Sequence, residues 1–229
     1  LGTQNVIESA VDCGVEKVLL VSTDKAAQPV NLYGATKLCA EKLIVSGNAY
    51  SGNKTKFSAV RYGNVMGSRG SIIEKVMKSP ELEISVTHED MTRFWINLEQ
   101  SFDLVLFALT NMKGGEIFIP KIPSMKITDL FDVLAPRTKR KVVGVRPGEK
   151  IHETLVTKEE ARHSLELKNY YVILPEDEVL FTNKKRYDLL LKEGKKLPKD
   201  FSFESHTNSD WLEKKEFEKM LGQIRANLL

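Results

Sequence analysis

Tyr33 and Lys37 form a Tyr-x-x-x-Lys pair, and Ser22-Thr23-Asp24-Lys25 lies a short loop upstream. Four residues apart on a helix, a phenol and an ammonium point to the same face. A tyrosine titrates near pH ~10, so a phenolate at neutral pH needs ~4 kcal/mol of help, which a nearby cation gives by favouring the charged form. Such a phenolate takes a proton from a hydroxyl group. Thr23, Asp24 and Lys25 add a hydroxyl, a carboxyl and an amine in one row. The spacing alone is not specific, because Tyr50 and Lys54 repeat it. That copy straddles Gly52, which disfavours a helix there. Helix capping by Thr23 or Asp24 accounts for one polar group and leaves the others unexplained. His88, His152, His163 and His206 show no metal-ligand spacing, so no metal is expected.

The elements that must position these residues read as α/β. Residues 1–13 place Val6, Ile7, Ala10 and Val11 on one helical face, stopped by Gly14. Residues 17–22 read as a strand buried on both faces. After a loop holding Pro29 and Asn31, a helix runs from Tyr33 to about residue 49, with Ala35, Leu38, Lys42 and Leu43 in step. Residues 57–62 read as a second buried strand. This alternation implies a parallel sheet wound by crossover helices, and polar residues leaving the carboxyl end of such a strand sit where open sheets bind ligands. Beyond Gly63 the pattern loosens. Gly67 and Gly70 bracket a loop, residues 71–78 read as a helix ended by Pro80, and 98–110 as an amphipathic helix. A strand is expected over 116–119. Pro123, Pro136, Pro147, Pro175 and Pro198 interrupt the remainder of the chain, and residues 210–229 read as a capped helix with Leu212, Phe217, Leu221 and Ile224 apolar.

The 229 residues are 41% hydrophobic and 28% charged, which disfavours disorder and a disulfide scaffold. Cys13 and Cys39 lie in apolar helical patterns and are expected as small core residues in a reducing compartment. With 34 Lys+Arg against 31 Asp+Glu, the net charge of +3 does not argue for nucleic acid. The lysines crowd into the last third (Lys184, Lys185, Lys192, Lys195, Lys196, Lys199), as a solvated surface does. No apolar run approaches the ~18 residues of a membrane span.

The stretch Ser22-Thr23-Asp24-Lys25-Ala26-Ala27, Pro29, Asn31-Leu32-Tyr33-Gly34-Ala35-Thr36-Lys37 resembles the active-site segment of extended short-chain dehydrogenase/reductases. More narrowly, it resembles the nucleotide-sugar 4,6-dehydratases that act on UDP-N-acetylglucosamine with inversion at C5. Thr-Asp-Lys is the sharpest marker. Dehydratases of dTDP-glucose carry Thr-Asp-Glu there, and 4-epimerases usually have Ser with no acid–base pair after it. The likeness continues through Arg61-Tyr62-Gly63-Asn64-Val65, Met91-Thr92-Arg93-Phe94, Arg146-Pro147-Gly148-Glu149-Lys150, Glu160-Ala161-Arg162-His163 and Asn208-Ser209-Asp210-Trp211-Leu212.

The resemblance implies a lyase of bacterial glycan biosynthesis, cytoplasmic and homo-oligomeric, holding NADP or NAD through each redox-neutral turnover. It assigns the C4 hydroxyl proton to Tyr33, nicotinamide-ribose binding to Lys37, the departing C6 hydroxyl to Asp24, the C5 proton to Lys25 and the C4 oxygen to Thr23. Ser22, Tyr62, Asn64 and Val65 are expected at the cofactor. Arg69, Arg93 and Arg146 are candidates for the diphosphate, since guanidinium matches its oxygens bidentately; Glu149 is the candidate for the uridine ribose, with Asn64 and Lys25 also at the substrate. A UDP-sugar 4-epimerase, a retaining dehydratase and a non-catalytic fragment are the alternatives. The expected fold class is the C-terminal part of a doubly wound, Rossmann-like parallel sheet (residues 1–66, with 98–120 returning to it), plus a smaller mixed α/β substrate domain (mainly 67–229). No Gly-x-Gly-x-x-Gly fingerprint occurs. The first half of the sheet, which carries the cofactor fingerprint, is therefore expected to be missing from these residues, a membrane anchor upstream is left open, and residues 1–229 alone are expected to be inactive.

Overall fold

The computed structural model describes residues 1–52, 54–78, 83–176 and 184–228; the stop at Pro80 and the side chains of Lys184, Lys185 and Ile224 lie outside the described residues. Along the chain, α1 (Gly2–Asp12) leads to β1 (Lys17–Thr23), a single 3-10 turn (Asp24–Ala26), α2 (Leu32–Gly47) and β2 (Lys56–Tyr62). Then come β3 (Asn64–Val65), α3 (Ile72–Lys78), β4 (Glu83–Val86), β5 (Thr92–Ile96), α4 (Leu98–Asn111), β6 (Ile117–Pro120), β7 (Ser124–Lys126), α5 (Ile127–Leu134) and β8 (Lys139–Val142). The last stretch holds β9 (Thr154–Val156), α6 (Lys158–Ala161), β10 (Ser164–Glu166), β11 (Tyr170–Ile173), a second 3-10 turn (Lys184–Tyr187), α7 (Asp188–Glu193), β12 (Lys195–Lys196), β13 (Phe203–Glu204) and α8 (Lys214–Leu228).

The chain divides into two units, the first made of Leu1–Tyr62, Phe102–Lys121 and Thr154–Phe203. Its six-stranded sheet runs β1-β2-β6-β11-β10-β12. β1, β2 and β6 are parallel, and β11, β10 and β12 continue the sheet antiparallel. Alternate residues of β2 serve two cores, as the period of a strand requires. Phe57 packs with Ile7 and Ala10 of α1 and Ile44 of α2. Val60 packs on the other side with Leu104 and Ala108 of α4 and with Phe118. Helices on both faces of a parallel sheet make the doubly wound α/β arrangement expected. The division itself differs from the expected one, because residues 154–203 join this unit. Their strands β10 and β11 extend the sheet beyond β6.

The second unit comprises Gly63–Ser101, Ile122–Glu153 and Glu204–Leu229. It holds the three-stranded sheet β3-β5-β7 and the parallel pair β4-β8. Trp95, Met125, Phe131, Phe217 and Leu221 meet in its core. Every residue of β5 is buried.

Several local expectations change. β1 lies at the sheet edge and is mostly half-buried, with Val21 exposed, whereas β2 is buried through its centre. α2 buries Gly34, Ala40, Glu41, Ile44 and Gly47, and Lys42 faces solvent. Val6 is exposed, and so are both Cys13 and Cys39, which are not core residues. The last helix starts at Lys214 instead of residue 210, because residues 208–212 bind β7. The Asn208 amide donates to the Ile122 carbonyl and Ser124 Oγ, and the Asp210 carbonyl accepts from the Ser124 amide.

Candidate functional site

At the carboxyl end of β1 the chain turns through Asp24–Ala26 with Asp24 completely buried. Asp24 Oδ1 accepts from Thr23 Oγ at 2.9 Å and from Lys25 Nζ at 2.8 Å. Asp24 Oδ2 is buried and has no hydrogen-bond partner. Native proteins pair nearly all buried polar atoms, and an unpaired one costs about 1–3 kcal/mol. Lys25 reaches outward, with its side chain about a third exposed. The Thr23 hydroxyl, expected at the C4 oxygen, donates to the Asp24 carboxylate here.

The helix that carries Tyr33 is fixed against this turn by two residues. Asn31 caps it, its Oδ1 accepting from the Gly34 amide at 2.8 Å. Gly34 permits the approach, since a Cβ there would lie 2.3 Å from the Lys25 carbonyl oxygen and 3.0 Å from Pro29 Cβ. Between turn and helix, Gln28 takes φ +50°, a conformation rarely adopted by residues with a side chain. Tyr33 is 54% exposed on the first turn of α2. One turn on, Lys37 Nζ approaches the Val21 carbonyl oxygen at 3.5 Å.

Beneath these groups lies a buried charged cluster that the spacing of apolar residues does not reveal. Ser22, expected at the cofactor, is buried, and its Oγ donates to Glu41 Oε1 at 2.5 Å. Glu41 also pairs with Arg61, at 2.6 Å, and Arg61 pairs with Glu160 at 2.8 Å. Burial opposes the charge on Arg61, but the two carboxylates outweigh it and raise its pKa. Burial likewise opposes the charge on Glu160, and Arg61 outweighs it, holding that carboxyl below its usual range. Two signals for the cluster were present. Glu41 continues the Tyr33, Lys37 spacing by one more turn, and Arg61 interrupts an apolar strand. Tyr62, expected at the cofactor, is half-buried against the Val60 core, and burial pushes its phenol up.

The remaining candidates belong to the second unit. Asn64 and Val65 form β3, partly buried. Arg69 is exposed before α3, and the Glu74 carboxylate accepts from the Gly70 amide, so this helix start is satisfied by its own side chain. Arg93, expected at the diphosphate, is buried and committed elsewhere. It donates to the carbonyls of Thr92 (2.7 Å), Ile151 (3.0 Å) and Lys150 (2.9 Å), and lies 3.6 Å from Glu153. Its place in the chain marked it as unusual, and its partners are three backbone carbonyls and the Glu153 carboxylate. Arg146 is exposed, and its carbonyl accepts from the Glu149 amide across the turn at Gly148. Glu149 Oε2 is buried without a hydrogen-bond partner. His152 accepts or donates a 2.8 Å bond with Thr92 Oγ1 and stacks on His206. Among the described residues no three His, Cys, Asp or Glu side chains group as metal ligands.

Residues 1–175 match the family described as polysaccharide biosynthesis protein. The chain is similar to the UDP-N-acetylglucosamine 4,6-dehydratase (inverting) of Campylobacter jejuni, 46% identical over 222 residues, which cover 94% of this chain and 66% of that protein. It thus spans about two thirds of the length of that curated relative. The X-ray structure of Pen from Bacillus thuringiensis superposes with a TM-score of 0.81 at 36% identity, covering 97% of this chain and 66% of that one. The dTDP-glucose 4,6-dehydratase DesIV from Streptomyces venezuelae, solved with NAD and TYD bound, shares the fold at TM-score 0.57 and 19% identity, over 66% of this chain and 54% of its own.

Proposed function

Because the chain belongs to the polysaccharide biosynthesis protein family, we propose that the protein carrying it removes water from UDP-N-acetylglucosamine across C5 and C6, with inversion at C5. NAD or NADP, when bound, supplies the acceptor for the C4 hydride and returns that hydride to C6. The residues present fit such a partner: a half-exposed tyrosine and a lysine one helical turn on, beside the carboxyl end of a parallel strand.

Each acid–base task then has an owner. Tyr33 Oη takes the proton from the C4 hydroxyl as the ketone forms, with the Lys37 ammonium favouring its phenolate. The ketone acidifies the C5 proton, which Lys25 Nζ removes. Asp24 gives the proton on Oδ2 to the C6 hydroxyl, which leaves as water. Once C6 has regained the hydride, a solvent proton adds to the opposite face of C5 and inverts it, and the protons taken by Tyr33 and Lys25 reload Asp24 and return to solvent. Thr23 holds Oδ1 and so keeps the other oxygen for the proton. Glu149, with a bare buried oxygen, suits a ribose hydroxyl donor, and exposed Arg69 and Arg146 suit a diphosphate.

The observation that carries this reading is Asp24, fully buried, with one oxygen bonded twice and the other bare. A 4-epimerase removes a proton from the C4 oxygen and puts it back, and has no use for a second acid–base pair. Mass spectrometry of UDP-N-acetylglucosamine incubated with the protein tests the difference. Dehydration gives a product lighter by one water, and a product of unchanged mass contradicts it.

A further inference from the structure

Ser22 and Arg61 are direct partners across β1 and β2, and each lies two or four residues from positions that pack under α2. Glu41 of α2 binds both. Its Oε1 accepts from Ser22 Oγ at 2.5 Å and from Arg61 Nε at 3.0 Å, and its Oε2 accepts from Arg61 Nη2 at 2.6 Å. Arg61 has five N–H donors. The other bonds run from Nη1 to the Leu155 carbonyl (2.9 Å) and Glu160 Oε2 (3.0 Å), and from Nη2 to Glu160 Oε1 (2.8 Å). Glu41 and Arg61 are each 1% exposed, so no water competes for this clamp.

Buried ion pairs are weak contributors to stability, and apolar residues of similar volume often serve as well. What this one supplies is geometry. Ser22 directly precedes Thr23, Asp24 and Lys25, while Glu41 stands one turn beyond Lys37 and two beyond Tyr33 on the same helical stripe. We infer that Glu41 is a positioning residue, whose carboxylate ties the end of β1 to α2 and thereby sets the Asp24–Lys25 pair against the Tyr33–Lys37 face. Arg61, anchored by Glu160, holds Glu41 in the orientation that does this. The inference rests on the dehydratase reading for its kinetic consequence, though not for its mechanical one.

The test compares the unaltered protein with Glu41→Gln, Ser22→Ala and Ser22→Thr. Ser22→Ala breaks the link to β1 without leaving Arg61 unpaired. Hydrogen exchange is expected to quicken in residues 23–26 and 32–37 in both Glu41→Gln and Ser22→Ala, with β2 and β6 unchanged. On UDP-N-acetylglucosamine, kcat is expected to fall about tenfold or more while KM stays within about twofold, as misplaced groups predict. Ser22→Thr, which keeps the hydroxyl, should restore kcat. Exchange that quickens evenly through the unit, or an unchanged kcat in both variants, overturns the inference. If the full-length protein that carries this chain, supplied with NAD or NADP, does not turn over this substrate, the dehydratase reading falls, and the exchange pattern alone decides the positioning role.

Discussion

Asp24 and Tyr33 sit in opposite surroundings, one completely buried and the other half exposed, and the proposed reaction asks a different proton transfer of each. Asp24→Asn keeps the shape and the acceptor for Thr23 but cannot deliver a proton. Its kcat should fall about 10²–10⁴-fold, the usual worth of a positioned general acid, while UDP binding by calorimetry stays near that of the unaltered protein. A kcat within threefold would remove Asp24 from the mechanism. Tyr33→Phe should cost a similar factor, about 10²–10⁴-fold, read as loss of the earlier C4 oxidation step, in single-turnover absorbance at the nicotinamide band. Lys25 and the hydroxyls around it were legible as residue types in the sequence. What was not legible is which atom is bound and which is bare. Thr23 donates to the Asp24 carboxylate, Ser22 donates to Glu41, and Arg93 donates to backbone carbonyls of its own unit. Side-chain direction depends on packing partners distant in sequence, so spacing does not determine it.

At the level of elements, the start of α2 decides whether the turn holding Asp24 and the helix carrying Tyr33 meet. A methyl group at position 34 would stand 2.3 Å from a backbone oxygen, which has little freedom to retreat. Gly34→Ala should therefore destabilise by about 1–3 kcal/mol, the range for overpacking, and lower kcat as well. Thermal unfolding with a midpoint equal to that of the unaltered protein would contradict the close approach. Asn31→Ala removes only the cap and should cost about 1 kcal/mol. The existence and order of α1, β1, α2 and β2 could be read from periodicity and turn residues. The buried face of α2 could not, because the reading favoured apolar positions and the helix buries Glu41. The pattern likewise starts the last helix at residue 210, whereas Asp210 and Leu212 pair with Ser124 of β7.

For the whole molecule, the burial that builds the two units also sets how stability responds to pH. His152 and His163 both have pKa values lowered, chiefly by burial. A group whose folded pKa is depressed contributes stability that is present above its unfolded pKa and lost as pH falls through the folded value. Stability should therefore be level above about pH 6.5 and decline below it, and urea midpoints measured across pH 5–8 check this. A flat response would contradict the burial of neutral imidazoles. The sequence showed a regular α/β part followed by an irregular part, but not that residues 154–203 return to the first sheet. That return depends on antiparallel pairing of β11 with β6, between residues far apart along the chain, and no local pattern announces it. The central claim is that the buried Asp24 and its neighbours perform dehydration with inversion. Proton NMR of the product formed from UDP-N-acetylglucosamine tests it most directly: the account predicts a C6 methyl group beside an inverted C5 and a C4 ketone, and an intact C6 hydroxymethyl group with C4 epimerised would contradict it.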